Sequence, residues 1–198
     1  MFVNFYMKIS LLLNIRASKR KRKKNYEYNK AIKNPPKGII TSQHGSVGEY
    51  LFGLGKVKNV GCGTVAVYNA LLLDSKREEY SSVLSCCEQI TMLKGLFGCN
   101  SYRIGKVLNH FGYKNNEGFS FAHKYKHVDN LKDYGKIFIA AFWNKNSIFG
   151  GAHIICCELK PDGKIRTYNA SRSEYNSFEE FKEKCLTKKR FIALYAIK

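Results

Sequence analysis

Apolar residues in this chain keep a helical rhythm in the first half and a strand rhythm in the second. Residues 64–73 (TVAVYNALLL) are apolar on nearly every face, the mark of a buried helix. The break at Gly61-Cys62-Gly63 places a cysteine at the start of that helix. Residues 79–97 predict a second helix ending near Gly98. Residues 101–111 predict a third, with Ile104, Val107, Leu108 and Phe111 at helical spacing and Gly112 just past the end. From residue 136 the pattern changes. Residues 136–143 (KIFIAAFW), 152–159 (AHIICCEL), 165–169 and 191–197 (FIALYAI) predict strands. The first two are joined by a loop over 144–151, and Pro161-Asp162-Gly163 predicts a hairpin turn. Ser177, with Glu180 at the capping-box position, predicts a helix to about Cys185. Helices first and an antiparallel meander afterwards indicate an α+β fold with helices segregated from the sheet.

The Pro35-Pro36-Lys37-Gly38 stretch divides the chain into a basic tail over 1–36, expected to be disordered, and one domain over 37–198. Residues 1–15 are mostly apolar, and seven Lys/Arg follow within 16–24. A secretory signal carries its charge before the apolar run, and a membrane span needs ~20 apolar residues. Three readings stay open: a membrane-surface anchor with a polybasic flank, a poorly folded tail, or a start codon placed too far upstream. The last two together are the expectation.

The formal net charge is +19. Residues 1–33 hold ten Lys/Arg and one acidic residue, so the body is also basic. Such a surface attracts nucleic acid, anionic lipid or acidic peptides, although a Lys-rich solvated surface explains it equally well. The seven cysteines include two adjacent pairs, Cys86-Cys87 and Cys156-Cys157. An odd count with adjacent pairs does not suit a secreted disulfide framework, so a cytoplasmic location is expected. There is no Cys-x-x-Cys, and Cys86, Cys87 and Cys99 have only the distant His110 as a nitrogen partner. No metal or other cofactor is expected.

Three positions carry the chemistry. Cys62 sits at a helix N-terminus, where free N–H groups and the helix dipole favour negative charge; the thiolate is the nucleophilic form. Gly61 and Gly63 would leave room for a substrate backbone. His153 follows Gly150-Gly151-Ala152 and opens an apolar strand. His44, His110, His123 and His127 are less well placed, in a Gly/Ser loop, on a helix and in a Lys-rich stretch. Asn169 ends the strand beyond the 161–163 turn, which lies midway between it and His153, so the hairpin returns Asn169 to the histidine. An amide oxygen there can orient the imidazole, giving a Cys-His-Asn arrangement. Singly, each has a structural reading: a small buried thiol, a core or edge histidine, a turn asparagine.

In order and spacing, the pieces 59–64 (NVGCGT), 151–155 (GAHII) and 168–170 (YNA) resemble the papain-like cysteine peptidases. They are most like the compact bacterial branch that includes peptidases cutting double-glycine leaders from bacteriocin precursors. The resemblance covers about residues 40–198. It implies N-terminal helices, with a buried nucleophile helix, packed on a C-terminal antiparallel sheet. It also implies that Cys62 attacks a carbonyl, His153 acts as base and then acid, and Asn169 orients His153. The leader peptidases usually have Asp at the third position, so Asn169 is more like papain itself. The family's oxyanion glutamine stands about six residues before the nucleophile, where this chain has Lys56. The nearest amides are Asn59, which is favoured, and Gln43.

The expected function is a cysteine hydrolase that cleaves peptide bonds through a thioester acyl-enzyme, with a peptide or protein substrate. The same residues also support a thiol acyltransferase. A non-catalytic basic module is the competing class, using residues 16–24 to hold nucleic acid or anionic membrane; its binding would fall steeply with salt. The aromatics are not interleaved with the basic residues in a recognisable nucleic-acid motif. The oligomeric state is not legible.

Overall fold

The computed structural model describes residues 12–113, 115–119, 135–145, 147–187 and 190–197; His123 and His127 lie outside the described residues. Six antiparallel strands form the main sheet: β3 (Asn115–Phe119), β4 (Ile137–Lys145), β5 (Ser147–Leu159), β6 (Ile165–Tyr168), β7 (Glu174–Tyr175) and β8 (Phe191–Ile197). Their spatial order is β3-β8-β4-β5-β6-β7, so the last strand lies inside the sheet. The expected α+β class is observed. The simple meander is not, because β8 inserts between β3 and β4.

The sheet separates two cores, which explains why its central strands read as continuous apolar runs. Ile139, Ala141, Ile154, Cys156, Tyr195 and Ile197 face one core. That core also holds residues of α3 (Cys62–Leu73), α4 (Tyr80–Cys87) and α5 (Ile104–His110). Phe138, Ala140, Phe142, Ile155, Cys157 and Leu194 face the other, against Phe178 and Phe181 of α6 (Phe178–Cys185). Helices therefore cover both faces and are not all segregated to one. Ser177 caps α6 by accepting from Glu180 N, while the Glu180 carboxylate accepts from Asn176 N. Helix α3 is buried from Gly63 to Leu71, as its all-round apolarity predicts.

The N-terminal segment departs from expectation. Residues 19–30 form helix α1 (Lys19–Lys30), capped by Ser18 and docked on the domain. Residues 19–30 of the basic tail are therefore ordered against the domain. No apolar stripe holds this helix. Two buried asparagines do. Asn25 Nδ2 donates to Gly53 O at 2.9 Å and to buried Glu88 Oε1 at 2.6 Å. Asn29 exchanges two bonds with the main chain of Leu51, in the small hairpin β1 (Leu51–Phe52) and β2 (Gly55–Lys56). Glu88 also accepts from Gly53 N at 2.7 Å. Burial raises its carboxyl pKa, and the Asn25 and Gly53 donors only partly oppose this.

Two further expectations change. The helix predicted over 79–97 stops at Cys87 and is followed by short 3-10 turns. Leu93, Lys94, Gly95 and Gly98 have positive φ there, and Thr91 bridges to Cys99. The loop predicted over 144–151 is largely strand, with a register shift between Trp143 and Lys145 and Gly151 at φ 74°.

Candidate active site

Cys62 is the first residue of α3, reached through the one-turn helix α2 (Val57–Val60). Thr64 and Val65 both donate from their main-chain N to Gly61 O, starting the helix. The N–H of Cys62, one of the unpaired donors at a helix start, has no acceptor among the described residues. The thiol is half-buried. Of the other six cysteines, five are buried and Cys86 is half-buried. Desolvation pushes the Cys86 thiol up to about 11 and raises Cys156 and Cys157 as well, while the neighbouring Cys99 thiol and then burial raise Cys87.

The glycines beside Cys62 serve packing, which corrects the reading that they make room for substrate. A Cβ on Gly61 would lie 2.5–2.8 Å from Val57 atoms. A Cβ on Gly63 would lie 2.8 Å from Cys99 Cβ and 3.2 Å from Ile154 Cδ1. Gly63 therefore lets the nucleophile helix close on the sheet.

His153 stands on β5 opposite Phe142 of β4, with the two rings edge to face at 6.3 Å. Its side chain shares one cavity wall with that of Cys62, close enough for the thiol to raise the imidazole pKa. Burial lowers the imidazole pKa. The Cys62 side chain and the Asn169 carbonyl together outweigh burial and hold it above 6.5.

Asn169 comes back to His153, but with a different atom than expected. The main-chain oxygen of Asn169 lies 2.6 Å from His153 Nε2. A carbonyl only accepts, so Nε2 carries the proton and Nδ1 is the nitrogen left for the thiol. The amide side chain turns away. Its Oδ1 accepts from Gln43 N at 2.9 Å, and its Nδ2 donates to Gln43 Oε1 at 3.1 Å. The reason is local. Strand β6 ends at Tyr168, and Asn169 adopts φ 61°, a left-handed conformation that asparagine tolerates better than most residues.

The oxyanion candidates also separate. Gln43 Nε2 donates to Val57 O at 3.3 Å and Lys58 O at 3.0 Å, so both of its hydrogens are engaged. Flipping the amide would set its oxygen against two carbonyls. Gln43 thus locks three segments together instead of offering a donor. Asn59 is exposed on the same cavity wall, with no hydrogen-bond partner among the described residues. Lys56 and Lys58 both pair with Glu49, whose carboxyl they hold down to about 2.

Asn69, inside α3, escaped the sequence reading. Its side chain accepts from Ile40 N and donates to Ile40 O, each at 2.8 Å, fixing the segment that leads to Gln43. The signal was an asparagine within an otherwise apolar helix, which must find partners when buried.

Gln43, His44, Lys58, Asn59, Cys62, Asn144, His153 and Asn169 line one cavity of about 610 Å³. Its rim residues Ser42, His44, Asn59, Asn144 and Ser171 are exposed, so the cavity is open to water. A half-buried thiol at a helix start, on one cavity wall with an imidazole whose far nitrogen is held by a carbonyl, can deliver a sulfur nucleophile and then return a proton. Among the described residues, no group of three or more His, Cys, Asp or Glu is placed to hold a metal ion. No protein-family model matches the sequence, and no curated protein matches it.

Proposed function

We propose that this protein is a cysteine-nucleophile hydrolase, a peptidase of papain-like design. The observation that carries the reading is that Cys62, at the start of α3, and His153 share the wall of one open cavity, where the Cys62 side chain raises the imidazole pKa. The order of a nucleophile helix, a histidine strand and a returning Asn169 supports the papain-like relation.

His153 takes the thiol proton while Cys62 Sγ adds to a carbonyl carbon. As the C–N bond breaks, the imidazolium gives that proton to the leaving amine, leaving a thioester. Water then adds to the thioester, with His153 again taking a proton. The C–S bond breaks and the proton returns to sulfur. The developing oxyanion is served by Cys62 N–H and, from the cavity wall, the free Asn59 amide. The exposed rim favours water as the second nucleophile over an acyl-accepting amine. Asn169 is a positioning residue that acts through its carbonyl.

The test is alkylation by iodoacetamide at pH 6, with the modified cysteine located by mass spectrometry, on wild type beside His153→Ala. An ordinary thiol, with a pKa of about 8.5, reacts slowly at that pH. Fast labelling confined to Cys62 and lost with His153 is expected. Uniformly slow labelling of all seven cysteines would overturn the assignment.

A further inference from the structure

Among the described residues, six large hydrophobic side chains are exposed: Leu12, Ile15, Tyr28, Leu54, Leu96 and Phe97. Five of them come from three segments that run side by side. Leu93 N donates to Leu13 O at 2.8 Å and Lys94 N to Ile15 O at 2.5 Å, joining the 12–16 segment to the 92–98 loop. Leu54 N donates to Lys94 O at 2.9 Å, joining the β1–β2 turn to the same loop.

The loop is built to hold this shape. Leu93, Lys94, Gly95 and Gly98 all have positive φ, which for Leu and Lys is strained backbone. Within it Leu96 is 56% and Phe97 67% exposed. A Cβ on Gly53 would lie 2.7 Å from Gly95 Cα, so the turn and the loop meet backbone to backbone. The two exposed apolar residues of the loop are thus presented on a fixed support.

The rim of this patch is basic. Helix α1 follows directly from Ile15 and Arg16, and Lys19, Arg20, Lys23 and Lys24 are exposed on its face away from the docking residues Asn25 and Asn29. Lys94 is exposed within the loop itself. No carboxylate pairs with any of these five cations among the described residues. Glu27, the single acid within α1, is exposed on the same face but forms no ion pair with them among the described residues, and Glu88 is buried beneath α1 and bonded to Asn25 and Gly53.

The geometry points to a surface that seats on an anionic lipid bilayer. Leu96, Phe97, Leu54 and Ile15 enter the headgroup boundary, and the α1 cations lie against the acidic headgroups. Exposed apolar side chains rimmed by uncompensated positive charge are what such a surface requires. Charge complementarity selects acidic lipid over an apolar protein partner, and the protruding aliphatic side chains select a bilayer over a nucleic acid. The loop also touches the active-site wall, because a Cβ on Gly98 would lie 2.8 Å from Val60 O, two residues before Cys62. Seating therefore keeps the catalytic cavity near the bilayer.

The test is sedimentation of the full chain with vesicles of phosphatidylcholine alone and with phosphatidylserine added, at low and raised salt. Binding to the acidic vesicles and little to the neutral ones is expected, weakening as salt rises. Each Lys or Arg near an acidic surface is worth about a fivefold change in partition. Neutralising Lys19, Arg20, Lys23 and Lys24 to Gln should therefore lower it on the order of 10²-fold or more. The paired substitution Leu96→Ser with Phe97→Ser should lower it on the order of tenfold; both side chains are exposed, so circular dichroism should be unchanged. Absence of binding to acidic vesicles would overturn the proposal. So would binding that ignores the Leu96 and Phe97 substitutions, or that is lost only on deleting residues 1–11. Retention on a single-stranded oligonucleotide without retention on vesicles would overturn it in favour of nucleic acid.

Discussion

Replacing Asn169 with glycine separates main-chain from side-chain orientation of His153. Glycine adopts φ near +60° without steric cost, so the carbonyl stays 2.6 Å from His153 Nε2. What is lost is the pair of bonds to Gln43, leaving Gln43 N–H and Oε1 without their partner. An unsatisfied buried group costs about 1–3 kcal/mol. With water able to enter from the adjoining cavity, the two together cost roughly 2–4 kcal/mol. At roughly 2–4 °C per kcal/mol for a chain of this size, thermal unfolding should fall by about 5–15 °C. Asn169→Ala adds the left-handed backbone penalty of about 1–2 kcal/mol and should fall further. Activity should order differently. His153→Ala removes the base, a loss of ~10²–10⁴, whereas folded Asn169→Gly should label at Cys62 within about tenfold of wild type. The assay is the iodoacetamide rate at pH 6, run well below each variant's melting temperature. A folded Asn169→Gly protein as slow as His153→Ala would refute main-chain orientation and return the role to the amide.

Cys62→Ala should abolish hydrolysis, keep the fold, and lower the His153 pKa, because the influences that raise it come first from Cys62 and burial then prevails; an NMR titration of the imidazole that does not move would count against the pair. In wild type the raised imidazole pKa adds stability that is full below the unfolded value of about 6.5 and is lost as pH rises through the folded value. Melting temperatures of wild type should therefore decline across that window more than those of His153→Ala, and parallel curves would argue otherwise. Gly63→Ala drives a Cβ to 2.8 Å from Cys99 Cβ and should cost about 1–3 kcal/mol by overpacking. An unchanged melting temperature with unchanged labelling would show that the contact is not tight. Asn25→Ala removes two of the bonds that dock α1 and should cost about 1–3 kcal/mol. Hydrogen exchange should speed up across 19–30 while the sheet stays protected, and unchanged exchange would mean that α1 is held otherwise.

The parts legible in sequence were those written in apolar residues. Helix α3 and strand β8 came through because TVAVYNALLL and FIALYAI admit burial on every side. Helix α1 did not, because KRKRKKNYEYNK shows no apolar stripe and docks through Asn25 and Asn29. The 88–98 stretch misled for the opposite reason. Its Ile90, Leu93 and Phe97 suggest helical spacing, while positive φ from Leu93 to Gly95 and at Gly98 turns the chain back. At the site, the sequence located Cys62, His153 and Asn169 but not which atom of Asn169 meets the imidazole, since that depends on one backbone dihedral. It also favoured Asn59 over Gln43 for proximity alone. The engagement of Gln43 with Val57, Lys58 and Asn169 rests on contacts across 14, 15 and 126 residues that no local pattern encodes.

The placement of β8 has a consequence for the timing of synthesis. It pairs with β3 on one side and β4 on the other, so in a nascent chain that has not yet supplied residues 191–197 β3 lacks its partner strand and β4 keeps an open edge. The β4–β5 pairing that sets His153 opposite Phe142 can form before that strand arrives, but the far edge of β4 is closed only when it does. The helix that begins at Cys62 is thus made well before the sheet that presents His153 is complete.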